Sequence, residues 1–117
     1  MAYTLADSYL HLLSEAFEWL SDGEFLLAHE ECCILFKICS PGAIDDEIRA
    51  EVLQYMMLCD QIDGVDEQDL LKIFSEFLKP KDANKRLWNL KLHMSQEQDT
   101  NRFTQVYISL SLLFLLF

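Results

Sequence analysis

Apolar positions recur at helical spacing through most of this chain. Leu5, Tyr9, Leu12, Leu13, Ala16, Phe17 and Leu20 share one helical face and predict a first helix over about residues 5–20, with Glu15 and Glu18 on the other side. Ser21, Asp22 and Gly23 end it. A second helix is expected from about Glu24 to Cys39, with Phe25, Ala28, Cys32, Leu35, Phe36 and Cys39 turned inward and His29, Glu30 and Glu31 outward. Ser40, Pro41 and Gly42 break the chain before a third helix. Asp45, Asp46 and Glu47 stand at the start of that helix, where carboxylates complement free backbone N–H groups and the positive end of the helix dipole. Its core face is Ile44, Ile48, Val52, Tyr55, Met56 and Cys59.

The clearest local signal follows the break at Asp60 to Gly64. Val65 at N′, Asp66 as N-cap, Asp69 at N3 and Leu70 at N4 fit a hydrophobic staple with an acidic imitation of a capping box. The fourth helix carries Leu70, Leu71, Phe74, Phe77 and Leu78 and is expected to end near Lys79, because Pro80 disfavours helical geometry in the residue before it. Phe17 to Gly23 and Met57 to Gly64 echo one another as apolar helix ends closed by Asp-Gly. Ordinary helix punctuation produces such an echo, and a duplicated helical hairpin is the alternative.

From about Asp82 the pattern supports two readings. Trp88, Leu90, Leu92 and Met94 alternate with polar residues as in a strand, while Leu87, Leu90 and Met94 fit a helix. The last fifteen residues, Phe103 to Phe117, contain no charged side chain and carry the same ambiguity. They fall short of the roughly 20 apolar residues a bilayer span requires, and Thr104, Gln105, Ser109 and Ser111 interrupt them. An element apolar on nearly every side suits the middle of a bundle. The expected fold is therefore all-α, a compact single domain over residues 1–117 in which five to six helices surround an apolar C-terminal helix. The alternative is an α+β fold with a C-terminal hairpin at about 86–94 and 103–112.

Charge changes this picture by dividing the chain. The formal net charge is −11, yet residues 1–69 hold sixteen acids against only Lys37 and Arg49, and residues 70–117 hold four acids against seven bases. An acidic surface repels nucleic-acid backbone and anionic lipid and attracts basic proteins at long range. The carboxylates expected to meet a partner are Asp45, Asp46, Glu47 and Glu51 on the third helix, with Asp60, Asp63, Asp66, Glu67 and Asp69 around the start of the fourth. If those two helices form an antiparallel hairpin, the acids form a ridge along its exposed side rather than one patch. The basic cluster Lys79, Lys81, Lys85, Arg86 and Lys91, with Trp88, reads as a solvated face or as a partner for acids of the same molecule.

No reaction is written in the motifs. His29 and Cys33 lie one helical turn apart, but no second ligand pair accompanies them as a structural zinc site requires. Asp60, Asp63, Asp66 and Asp69 fail calcium-loop spacing: with Gly64 at the sixth position, Cys59 and Gln61 occupy the first and third. There is no GxSxG, no CxxC and no phosphate-binding glycine loop, and His11 and His93 stand alone. No enzyme activity and no cofactor are expected. Cys32, Cys33, Cys39 and Cys59 sit in apolar runs, and residues 1–13 lack the features of a signal peptide, so a cytoplasmic protein with reduced thiols is expected.

Over Met57 to Leu78, a helix end closed by Asp-Gly and followed by an acidic start resembles the tellurite-resistance TerB-like domains. That resemblance implies a metal-sensing or stress role. Size, charge and absent chemistry lead elsewhere, to a non-enzymatic inhibitor that neutralises a basic partner. Its most concrete form is a bacterial immunity protein blocking the nucleic-acid site of a nuclease toxin. A phage-encoded inhibitor of a nucleic-acid-targeting defence complex and a helical adaptor or subunit are the alternatives.

Overall fold

The computed structural model describes residues 5–96, and over them the fold is all-α. Helix α1 spans Asp7–Ser21, α2 His29–Cys39, α3 Asp45–Leu58 and α4 Glu67–Lys72, the last running into a π-turn over Ile73–Phe77. A fifth helix, α5, occupies residues 80–96. Residues 86–94 are thus helical, which removes the first strand of the alternative hairpin. The apolar stretch Phe103 to Phe117, its expected place as a central helix and the second strand at 103–112 lie outside the described residues.

Helix boundaries follow local chemistry where the determinants are local. Asp66 caps α4 as expected: its carboxylate accepts the Asp69 N–H at 2.8 Å, and the Asp66 N–H donates back to Asp69 at 3.4 Å. Val65 and Leu70, the staple positions, are both buried. The π-turn closes with the Leu78 N–H bonded to the Ile73 carbonyl at 3.0 Å. Pro80 then opens α5 in the first helical position, where a missing N–H costs nothing, and the Ala83 N–H bonds the Lys79 carbonyl at 2.8 Å.

The second helix departs from expectation. It begins at His29 rather than Glu24, because Leu27 is drawn into an antiparallel bridge with Val65 through two backbone hydrogen bonds of 2.8 and 2.9 Å. Leu27 is fully buried as a result, while Phe25 and Ala28, expected to face inward, are exposed. Ile44, placed on the core face of α3 by its spacing, is also exposed, since it serves as the extended N-cap residue.

The bridge relates two helix–loop–helix units. In each, an aspartate in the left-handed conformation follows the first helix, Asp22 at φ 53° and Asp60 at φ 55°. Five residues later comes the bridged residue, Leu27 or Val65, then the N-cap, Ala28 or Asp66, then an N3 carboxylate, Glu31 or Asp69, bonded back to the N-cap N–H. One constant separation along the chain relates every pair. Phe36 and Phe74 obey it too, and their rings meet at 5.7 Å. Helix α2 packs on α3 and α4 on α1, so each unit's first helix meets the other unit's second. These relations describe an approximate twofold axis through the Leu27–Val65 pair. The Asp-Gly echo therefore lies in a different register from the structural repeat: Asp22 matches Asp60, not Asp63.

Helix α5 lies outside the repeat and ties it together. Ala83, Leu87 and Leu90, at helical spacing, are completely buried. From the same helix Asn89 donates to the Cys39 carbonyl at the end of α2 at 2.9 Å, the His93 ring meets Trp19 of α1 at 6.1 Å, and Arg86 reaches α3. The Phe36 ring, between those of Tyr55 and Phe74 with Arg86 over it, is where α2, α3, α5 and the π-turn converge.

Candidate interaction surface

The sequence-predicted acids do not form one ridge. Helix α3 is 14 residues long, so its two ends stand about 20 Å apart. Asp45, Asp46 and Glu47 occupy its first turn and are exposed, Asp45 lying 3.4 Å from Lys37. Asp60 and the start of α4 belong to the opposite end, and α4 packs on α1 rather than beside α3 in the expected hairpin. Glu51 leaves the free acidic surface altogether. Arg86 holds both its carboxylate oxygens, at 2.5 and 2.9 Å, and the two side chains are only 28% and 13% exposed. Of the basic cluster, Arg86 is thus matched to an acid of the same molecule, and Asp82 at 3.2 Å adds a second contact. The Glu51 and Asp82 carboxylates raise the Arg86 pKa despite partial burial, which keeps the fork charged at any working pH.

The remaining acids gather at the bridged end. Asp60, Asp63, Asp66, Glu67 and Asp69 come from the second unit, and the Leu27–Val65 bridge brings Asp22, Glu24, Glu30 and Glu31 of the first unit to the same end. Over residues 22–31 and 59–69 there is no lysine or arginine. Sequence reasoning passed over the four first-unit acids, because only a long-range backbone contact joins them to the others. The Asp-Gly echo was the one local hint of that arrangement. Two carboxylates at this end also work for the fold: Asp66 and Asp69 cap α4, and partial burial pushes the Asp69 pKa up. Asp63 and Glu24 are exposed and accept no hydrogen bond among the described residues.

The tips of the two loops are apolar as well as acidic. Phe25 is 89% exposed and Ile62 is 91% exposed. The loops approach closely between these tips: a Cβ on Gly64 would stand 2.7 Å from the Leu27 carbonyl oxygen and 3.1 Å from the Leu26 Cβ. Leu26 and Gly64 hold equivalent places in the repeat, and the crossing has room for only one side chain.

The four thiols lie in the core or against it. Burial pushes the Cys32 and Cys39 thiols up to about 12, so they stay protonated and serve as core atoms. A cleft of about 590 Å³ between α2 and α3 contains Cys33, with its Sγ 3.9 Å from both ring nitrogens of His29, above Ile34, Ile38 and Ile48. Burial raises the Cys33 pKa although Arg49 opposes it, which is the reverse of nucleophile activation. Among the described residues no three His, Cys, Asp or Glu side chains stand close enough to share a metal ion. No helix among them is long and apolar enough to cross a membrane.

Compared with protein families, curated protein sequences and solved structures, the chain matches none.

Proposed function

We propose that this chain is an acidic, non-enzymatic inhibitor that binds a basic protein, most concretely an immunity protein that occludes the nucleic-acid site of a nuclease toxin. The observation that carries this reading is the bridged end of the molecule. Two loops and two helix starts there present carboxylates from both units, and neither segment, 22–31 or 59–69, contains a lysine or arginine of its own. Carboxylates held on a rigid frame compete with phosphates for a basic cleft, and their combined field accelerates encounter. A phage-encoded inhibitor of a nucleic-acid-targeting complex would use the same chemistry on a different partner.

The test is inhibition of a basic nuclease encoded beside this chain, with charge-reversed variants as controls. Asp63→Lys and Glu67→Lys are the informative changes, since neither side chain makes a hydrogen bond or ion pair among the described residues. Asp66 is unsuitable because it caps α4. The expected result is nuclease inhibition that the double reversal abolishes, while circular dichroism stays unchanged and stability falls by no more than about 1 kcal/mol, the helix-dipole contribution of Glu67. Full inhibition by the reversed protein would exclude the electrostatic mechanism and favour a helical adaptor whose acidity serves solubility.

A further inference from the structure

Phe25 and Ile62 are about nine-tenths exposed and pack against none of the core among the described residues. A large apolar side chain at a loop tip gains nothing for stability, and these two are the most exposed of the large apolar residues described. The repeat sharpens the point. Glu24 and Phe25 occupy the places in the first loop that Ile62 and Asp63 occupy in the second. Each loop thus offers one carboxylate and one apolar residue at the same two positions, in opposite order.

The two tips fit within a single interface. Phe25 precedes its bridged residue by two positions and Ile62 precedes its own by three, and the bridge is antiparallel, so they emerge on opposite sides of it. Strand geometry limits their separation along that direction to about 17 Å. A standard interface of about 800 Å² per partner covers both. Interfaces place apolar anchors inside a polar rim, and here the charged residues of the two loops are all acids, Asp22, Glu24, Asp60, Asp63 and, at the start of α4, Glu67.

Resting on the inhibitor reading above, we infer that Phe25 and Ile62 are paired anchors of the docking surface, and that the partner is a basic protein with two apolar pockets flanked by lysine or arginine. The carboxylates set the rate of encounter. The anchors set the lifetime of the complex.

The experiment places a photoreactive benzoylphenylalanine at position 25 or 62 of the full chain, irradiates in cells, and identifies the cross-linked protein by mass spectrometry. Binding of that protein, once purified, is then measured to Phe25→Ser and Ile62→Ser. The expected result is the same protein from both positions, with an isoelectric point above about 9. Each serine variant is expected to dissociate at least about tenfold faster with an unchanged salt dependence of association. Cross-linking to a second copy of this chain or to its own residues 97–117, or serine variants that bind as the wild type does, would overturn the inference. A basic partner bound with steep salt dependence but cross-linked from neither position overturns the anchors and leaves the inhibitor reading standing. One neutral or acidic protein captured from both positions overturns the stated partner, and the inhibitor reading with it.

Discussion

The two helix–loop–helix units of this protein share a backbone plan and differ in what they place on it. Where the plan demands burial both comply: Leu27 and Val65 at the bridge, Leu35 and Ile73, Phe36 and Phe74. Differences collect at three kinds of position. The first unit puts thiols at Cys32 and Cys39 where the second has Leu70 and Phe77. The first caps its second helix with Ala28 and the second with Asp66. At the crossing, Leu26 faces Gly64. The lesson is that the units agree where they meet, at the bridge and the Phe36–Phe74 contact, while other core positions, the caps and the loop tips have diverged.

Alkaline pH is the strongest way to break that comparison, because it attacks the first unit's thiols. In the unfolded chain a thiol loses its proton near the ordinary value of 9.0, whereas folded Cys32 and Cys39 retain theirs to about 12. The folded state therefore binds more protons over that window, and stability falls as pH rises through it, by about 1.4 kcal/mol per pH unit for each group. Urea unfolding between pH 8 and pH 11 measures the slope (~3 pH units). Replacing both cysteines with valine is expected to reduce it, leaving the smaller decline from Cys33 and Cys59, whose thiols burial also raises, and from Tyr55, whose hydroxyl is pushed up to about 12. A slope unchanged in the valine variant would contradict the burial of these thiols.

Truncating the central ring pair comes next. Phe36→Ala and Phe74→Ala are each expected to cost about 3–5 kcal/mol, since both side chains are fully buried and leave a cavity. If the units contribute equally to the core, the two losses agree within about 1 kcal/mol, the usual context scatter of such series. Chemical denaturation decides it.

These two predictions rest on residues that the sequence already marked. Apolar periodicity located all four described helices of the repeat, and the Val65, Asp66, Asp69, Leu70 pattern placed the α4 boundary to the residue, because caps and staples act within one turn. For residues 86–94 alternation and helical spacing competed, and burial of Ala83, Leu87 and Leu90 on one face shows which prevailed. The start of α2 was misread for a physical reason. Phe25, Ala28 and Cys32 continue a helical stripe on paper, but hydrogen bonds from Leu27 to a residue in the other unit override it. The same remote contact assembles the acidic end, so the individual carboxylates were legible and their grouping was not. Glu51 looked as free as its neighbours until Arg86 folded over it.

Steric asymmetry at the crossing predicts a smaller effect. Gly64→Ala is expected to destabilise by about 1–3 kcal/mol, the cost of forcing a methyl against the Leu27 carbonyl. Leu26→Ala should relieve none of this, because the closest atom is backbone. Amide hydrogen exchange at Leu27 and Val65 reports whether the bridge itself loosens. Protection there that survives Gly64→Ala would show that the two loops do not meet as described.

The caps provide the mildest test. Asp66→Ala should cost about 1 kcal/mol by removing the acceptor for the Asp69 N–H, and Ala28→Ser at the equivalent site should gain a similar amount. Thermal melts of the two variants, moving in opposite directions, would sharpen the equivalence of the units. Movement in the same direction would deny it.

The most direct test of the central claim, that the acidic bridged end is the working surface, is the association rate of the chain with a basic nuclease as a function of ionic strength. The rate is expected to fall steeply with salt for the wild type and much less steeply for Asp63→Lys with Glu67→Lys, both proteins remaining folded. Identical salt dependence in the two proteins would contradict it.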